Sequence, residues 1–312
     1  MEQHHFDIVN HATPRLESMN KALGRGKYTD DLELPNMACA ALVRCPYSHA
    51  KVLSIDVSEA EKVPGFLGCA LPEEAPQAYF NCSGNPPSPL LMADEKVLTT
   101  EPLTIGDRVA VVAAETEEAA RAAAEAVKVE YENLAPILDV KAALADNAPA
   151  MQPHLSDTNV VQRREVSQGD IAVGEEKSDI ILEDHFVTPP MQHTMIELTC
   201  CICDFSDGEH MTIYSCSQTV FQERRILAEL FGLKEVDVHI IKPLVGAGFG
   251  ARQQLHAQHA AALISRKIKR PVKLPIRARR TSTPSCATPP TLIFASARTK
   301  TASCSSLIRR SA

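Results

Sequence analysis

The chain has 312 residues, enough for two domains with their own cores, and its 45% apolar and 23% charged content is that of an ordinary globular protein. No apolar run is long enough to span a membrane and no secretory leader opens the chain, so the expectation is a cytoplasmic protein with no membrane contact. The net charge of −7 is unevenly placed: residues 275–312 carry seven basic residues and no acid, leaving 25 basic against 39 acidic residues before them, which argues against a nucleic-acid-binding body.

In chain order, residues 1–20 read as an arm. Residues 38–45 are a strand candidate, and a second strand precedes a short helical turn at 58–62 that ends before Pro64. Residues 71–97 read as loop, and 107–115 as a buried strand. A helix follows with Thr116 as its N-cap, Glu117 and Glu118 in its first turn, and Ala120, Ala123, Ala124 and Val127 on its packed face. Residues 145–170 are polar and Pro/Asn/Ser/Gln-bearing, the composition of a linker.

A second α/β unit follows. Strands are predicted over 178–188, 194–205 and 211–217. Cys200, Cys201 and Cys203 sit in the second of these with apolar Ile202, a pattern of core packing rather than of a metal site. A helix starting at Ser217 or Thr219 runs to Phe231, stopped by Gly232. Val236, Val238 and Ile240 then alternate with Asp237 and His239 as a half-buried strand.

Gly246, Gly248 and Gly250 come next, separated by Ala247 and Phe249, and helix formers begin at Ala251. A glycine turn opening a helix offers free N–H groups to an anion. The spacing is neither G-x-G-x-x-G nor a Walker loop, so a dinucleotide or nucleotide fold is not supported. The Ser217-Gln218 turn has the same strand–turn–helix design, and the Gln218 amide can both donate and accept. A zinc hydrolase built on His193, His256 and His259 lacks any H-E-x-x-H pattern.

Five segments in this order resemble the amino-terminal part of the molybdenum-cofactor-binding subunit of the xanthine dehydrogenase/aldehyde oxidase family. KALGRGKYTDDLELPNMACAALVRCPYSHAKVLSIDVSEAEKVPGF is similar to the opening of its hammerhead domain, and IGDRVAVVAAETEEAARAAAEAVKVEYENLAPILD to the close of that domain. GDIAVGEEKSDIILEDHFVTPPMQHTMIEL resembles the entry to the first cofactor-binding domain, and YSCSQTVFQERRILAELFGL and IIKPLVGAGFGARQ resemble its two cofactor loops. The fold class implied is α+β: an α/β hammerhead domain followed by a truncated mixed α/β molybdenum-cofactor-binding domain. The division is an arm at 1–20, the hammerhead domain at 21–144, a linker at 145–170, an incomplete first cofactor-binding domain at 171–274 and a basic tail at 275–312.

The resemblance implies a molybdenum–molybdopterin hydroxylase acting on an aldehyde, purine or other N-heterocycle with water as oxygen source. Iron–sulfur and FAD groups would belong to partner subunits, in a dimer of heterotrimers. Gln218 matches the glutamine that hydrogen-bonds the apical oxo of molybdenum, and Phe249 and Gly250 match the Phe-Gly lying against the metal centre. Gly246, Ala247, Gly248, Phe249 and Gly250 form the cofactor loop, with Ala247 in place of the family's usual glycine. Gln253 stands where xanthine-oxidising members carry a substrate-binding glutamate; a glutamine holds no negative charge, which weighs against the usual purine reaction. Glu197 is assigned to loop support, and His49, Arg15 and Arg44 to structural roles.

No protein side chain is assigned as a metal ligand, and the family's general-base glutamate falls beyond this chain, so no catalytic residue is assigned. After Leu274 the acidic residues and the family pattern both stop, which reads as a basic tail without packed structure: either a genuine disordered tail suited to nucleic acid or a membrane surface, or, as the preferred expectation, the product of out-of-frame translation. The alternative that follows is a truncated, non-catalytic remnant of such a subunit.

Overall fold

The computed structural model describes residues 7–9, 11–82, 92–160, 170–187, 193–276, 291–298 and 304–310. A short exposed helix, α1 (Ser18–Ala22), leads into β1 (Ala38–Arg44), β2 (Ala50–Asp56) and β3 (Phe66–Ala70). Then come β4 (Arg108–Ala114), α2 (Glu117–Ala126), β5 (Lys128–Asn133) and the one-turn α3 (Val140–Ala143). The second half holds α4 (Ile171–Glu176), β6 (Ile180–Val187), β7 (Thr199–Asp204), β8 (Met211–Ser215), α5 (Val220–Phe231), β9 (Val238–Ile241), α6 (Gln258–Ile268) and β10 (Val272–Ile276). Two last strands are β11 (Thr291–Arg298) and β12 (Cys304–Arg310).

Seven strands form one sheet in the order β3-β4-β1-β10-β7-β8-β9. Strands from both halves of the chain therefore share it, joined where β1 runs parallel to β10 at Ala38↔Val272 and Cys39↔Lys273. β4 lies between β3 and β1, and every residue from Val109 to Ala114 is buried, as a central strand requires. From Ala110 onward its side chains alternate between two cores, and Val109, beside the irregularity opposite Val43 and Arg44, shares the core of Ala110. Val111 and Ala113 join Cys201, Cys203, Ile213, Leu227 and Ile264 on one face. Val109, Ala110 and Val112 join Val43, Cys69 and Ala123 on the other. α6 lies on the first face and is buried continuously from Gln258 to Ser265, while α2 covers the second. β2 and β5 form a separate antiparallel pair.

The local chemistry follows the expected devices. Thr116 Oγ1 accepts the Ala119 amide and caps α2. Gly232 closes α5 in the left-handed region at φ 67°, and the Leu233 amide donates to Ala228 O at 2.8 Å. Cys200, Cys201 and Cys203 are buried on β7 as free thiols.

Three expectations need correcting. Val236 is 83% exposed and lies in a 3-10 turn, Glu235–Asp237, so β9 starts two residues later than the apolar alternation predicts. The strand predicted over 194–205 is confined to Thr199–Asp204, with Thr194 in the left-handed region at φ 49° and Ile196 98% exposed. The tail, read from composition as unpacked, contains β11 and β12: β11 pairs antiparallel with β6 from Thr291↔Val187 to Arg298↔Ile180, and β12 pairs with β11. The edge of β6 offers unpaired backbone groups, and the TLIF run has the β-branched and aromatic residues suited to meet them.

Candidate functional site

β8 and β9 run parallel, paired at Ile213↔Ile240, and the two candidate loops leave their carboxyl ends. Ligands collect at such ends in α/β sheets because loop amides and helix starts converge there. The Ser217-Gln218 turn leads from β8 to α5, and the glycine loop leads from β9 towards α6.

The two loops are in direct contact. The Gln218 amide donates to Arg252 O at 2.8 Å. The Gln218 side chain returns the contact: its Oε1 accepts the amides of Gly250 at 3.2 Å and Arg252 at 3.3 Å. Both lone pairs of the amide oxygen are thereby engaged, which fixes the orientation of the group. Its Nε2 donates to no described residue and belongs to a side chain on the exposed side of the turn.

Close approach dictates the glycines. A Cβ at Gly248 would lie 2.6 Å from Gln218 Cδ, and one at Gly246 would lie 2.6 Å from Glu197 Cβ. Gly250 meets no such obstacle but adopts φ 90°. Ala247 at φ 79° and Phe249 at φ 48° occupy the same left-handed region with a side chain attached, and Phe249 is 71% exposed. Strained backbone and an uncovered aromatic at one loop mark a place where the chain is shaped for a task other than stability.

The amides of Ala247, Gly248 and Phe249 donate to no described residue, while those of Gly246 and Gly250 are taken by Glu197 and Gln218. The helix expected to open at Ala251 does not begin there. A single 3-10 turn, Ala251–Gln253, is followed by extended backbone at Gln254, and α6 starts at Gln258. The donors of this loop are its own amides and not a helix end. Gln253 is exposed at the close of the 3-10 turn, with its carbonyl accepting from Thr219 Oγ1 at 3.3 Å.

Four further side chains build the floor. Glu197 Oε2 accepts the Gly246 amide at 2.6 Å and lies 3.3 Å from Arg252 Nη2. Burial raises the Glu197 carboxyl above its usual range, against the Gly246 bond and the Arg252 charge. Glu223 is buried under the Gln218 turn and pushed up to about 7 by desolvation, with Ser217, Ser215 and Gln258 acting in the opposite direction. Gln258 Oε1 accepts the amides of His256 and Ala257, and its Nε2 donates to Ser215 Oγ at 3.1 Å. The floor thus ties the end of β8 to the start of α6. Only Glu197 is legible in the sequence; Arg252, Glu223 and Gln258 look like ordinary helix residues there, and no local pattern marks them as buried.

His259 is fully buried beside Phe80, with ring centroids 5.4 Å apart, and His256 hydrogen-bonds Ala251 O at 2.6 Å. Among the described residues no cluster of His, Cys, Asp and Glu could hold a metal ion.

The same two halves match known families. Residues 23–135 match the hammerhead domain of aldehyde oxidase and xanthine dehydrogenase, and residues 153–293, which contain both loops, match the molybdopterin cofactor-binding domain. The chain belongs to the xanthine dehydrogenase/aldehyde oxidase family. It is 29% identical over 279 residues to the nicotinate dehydrogenase large molybdopterin subunit of Eubacterium barkeri, covering 89% of this chain and 63% of that one. It is 30% identical over 258 residues to the putative xanthine dehydrogenase molybdenum-binding subunit of Escherichia coli, covering 81% of this chain but 34% of the relative. The chain thus spans less than two thirds of either relative. The aldehyde oxidoreductase of Desulfovibrio gigas superposes with a TM-score of 0.80 over 92% of this chain and 32% of that one, at 24% identity, a likeness of fold. The family's α+β architecture and its molybdopterin-binding domain are therefore those of this chain.

Proposed function

We propose that this chain is part of a molybdenum-dependent hydroxylase that oxidises an aldehyde or N-heterocycle, with iron–sulfur and FAD partner subunits receiving the electrons. The observation that carries this reading is the pinned Gln218 amide. With Oε1 held by Gly250 and Arg252, Nε2 is left as a donor at the lip of the glycine loop. The amides of Ala247, Gly248 and Phe249, which donate to no described residue, lie in the same loop, and their number and polarity suit an oxyanionic group. These residues fit one wall of a molybdopterin site.

When bound, the molybdenum cofactor supplies the redox centre at which oxygen from water reaches carbon and two electrons are collected. Gln218 would donate a hydrogen bond from Nε2 and orient the group, and exposed Phe249 would exclude water beside it. Gln253, neutral and exposed on the same rim, would face substrate without demanding a positive or protonated partner. A cytoplasmic setting agrees with the free thiols at Cys200, Cys201, Cys203 and Cys216. Among the described residues no helix is long and apolar enough to cross a membrane.

The test is metal and pterin content of the full chain, produced in a host that makes molybdopterin and isolated with its iron–sulfur and flavin partners. Near-stoichiometric molybdenum, lost in Gln218→Ala, supports the reading. A chain that assembles with partners yet carries no molybdenum favours the non-catalytic alternative.

A further inference from the structure

We infer that Arg252 is the positioning residue of the site, and that its guanidinium, seated on Glu197, sets Gln218 and the glycine loop relative to each other. The Arg252 side chain is 1% exposed and that of Glu197 is 9% exposed, so neither serves solubility. The guanidinium joins two other pieces of chain to the loop that carries Arg252. Nη2 donates to Glu197 O at 2.6 Å and lies 3.3 Å from its carboxylate, which anchors the segment entering β7. Nη1 reaches Cys216 O at 3.5 Å, the residue between β8 and the Gln218 turn. The backbone of Arg252 then holds Gln218 from both sides, its carbonyl accepting the Gln218 amide and its own amide donating to Oε1.

Glu197 closes the circuit at the far end of the loop, where its Oε2 accepts the Gly246 amide. One ion pair therefore holds the first glycine of the loop, its exit at Arg252, and the turn that carries Gln218. A lysine could replace the charge but not the two-armed reach, because a single ammonium cannot span the Glu197 and Cys216 carbonyls in fixed fork geometry. Neither Arg252 nor Glu197 is exposed on the rim where Phe249 and Gln253 lie, so the role is placement and not chemistry.

The inference rests on the cofactor reading only for what the clamp serves; the clamp is testable without it. Site-resolved amide exchange on the full chain compares the wild type with Arg252→Met, Arg252→Lys and Glu197→Gln. In Arg252→Met the amides of Gln218, Gly250 and Arg252 are expected to exchange at least about tenfold faster, while those of β7 and β8 stay protected. Arg252→Lys should restore the Glu197 side, keeping the Gly246 amide protected while Gln218 and Gly250 still exchange faster. Unchanged exchange at Gln218 and Gly250 in a folded Arg252→Met chain overturns the proposal. Should that variant fail to fold, Arg252→Lys and Glu197→Gln decide by the same criterion. Molybdenum content is read in parallel: metal-free wild type rejects the cofactor reading alone, whereas full metal retention with loosened loops rejects the link between clamp and cofactor.

Discussion

At position 248 a side chain would collide with Gln218, at 246 with Glu197, and at 250 only the backbone angle demands glycine. Ala247, like Phe249, is an exception, holding φ 79° with a methyl group attached. Replacing it with glycine removes the left-handed penalty, so Ala247→Gly should raise stability by up to about 1 kcal/mol in urea melts; a destabilised variant would show that the methyl makes a contact worth more than the strain. Glu223 gives a second residue-scale prediction. Its carboxyl is raised from 4.5 to about 7, mainly by burial. The unfolded chain releases this proton first, so the contribution is fully present below pH 4.5 and is lost as pH rises through about 7. The loss is on the order of 3 kcal/mol. Wild type should therefore lose stability between pH 5 and pH 8 relative to Glu223→Gln, and parallel pH profiles for the two chains would refute the shift. The sequence made Gln218 and the glycines legible because their residue types and order survive as a pattern. It hid Glu223 and Arg252 because a buried charge on a helix-forming stretch looks the same as a solvated one until its neighbours are known.

Among the elements, the starts of α5 and α6 show what local pattern can and cannot resolve. Gly232 closes α5 as predicted, because left-handed C-cap chemistry lies within the segment itself, and Thr219, one of the two predicted starts, flanks its first residue without capping it, its hydroxyl donating instead to Gln253 O. Composition places the start of α6 at Ala251, seven residues ahead of its first residue, Gln258. Residues 251–257 favour helix by composition, but Gln258 bonds the His256 and Ala257 amides through its side chain and takes the place a continuous helix would fill. The same Gln258 donates to Ser215 Oγ and so fixes α6 against β8. Gln258→Ala leaves two backbone donors and one hydroxyl without this partner in a buried place. It should cost about 1–3 kcal/mol, measured by denaturant unfolding, and it should release α6 from the floor of the site. A cost below about 0.5 kcal/mol would mean that water substitutes for the amide. The strands were found where alternation or full burial is strong, as in β4 and β7, and were overextended at 194–198, where apolar residues are exposed beside the loops.

For the whole molecule, the boundary drawn at 145–170 from composition does not separate two sheets, because β1 of the first half lies beside β10 of the second. Polar bridges reinforce that seam. Arg270 binds Glu115 through two hydrogen bonds of 2.8 and 3.0 Å and also donates to Asn36 O, and Lys267 binds Glu74 and Cys69 O. Pairs as exposed as these are each worth about 1 kcal/mol or less. Apolar burial contributes more: Ala38, Ala40, Val111 and Ala113 from the first half and Ile213, Leu227, Leu263 and Ile264 from the second occupy one buried cluster. A buried Leu or Ile contributes about 1.5–3 kcal/mol by burial, so splitting this cluster would cost more than either half could offset alone. The two family domains should therefore unfold as one cooperative unit. Ile264→Ala, on the buried face of α6 in the second half, should lower the stability reported from β4 and from β8 by the same amount, about 2–5 kcal/mol. Amide exchange at Val111 and Ile213 measures both at once. If β4 keeps its protection while β8 loses it, the halves are independent domains and the shared sheet is a contact between them, not a common core.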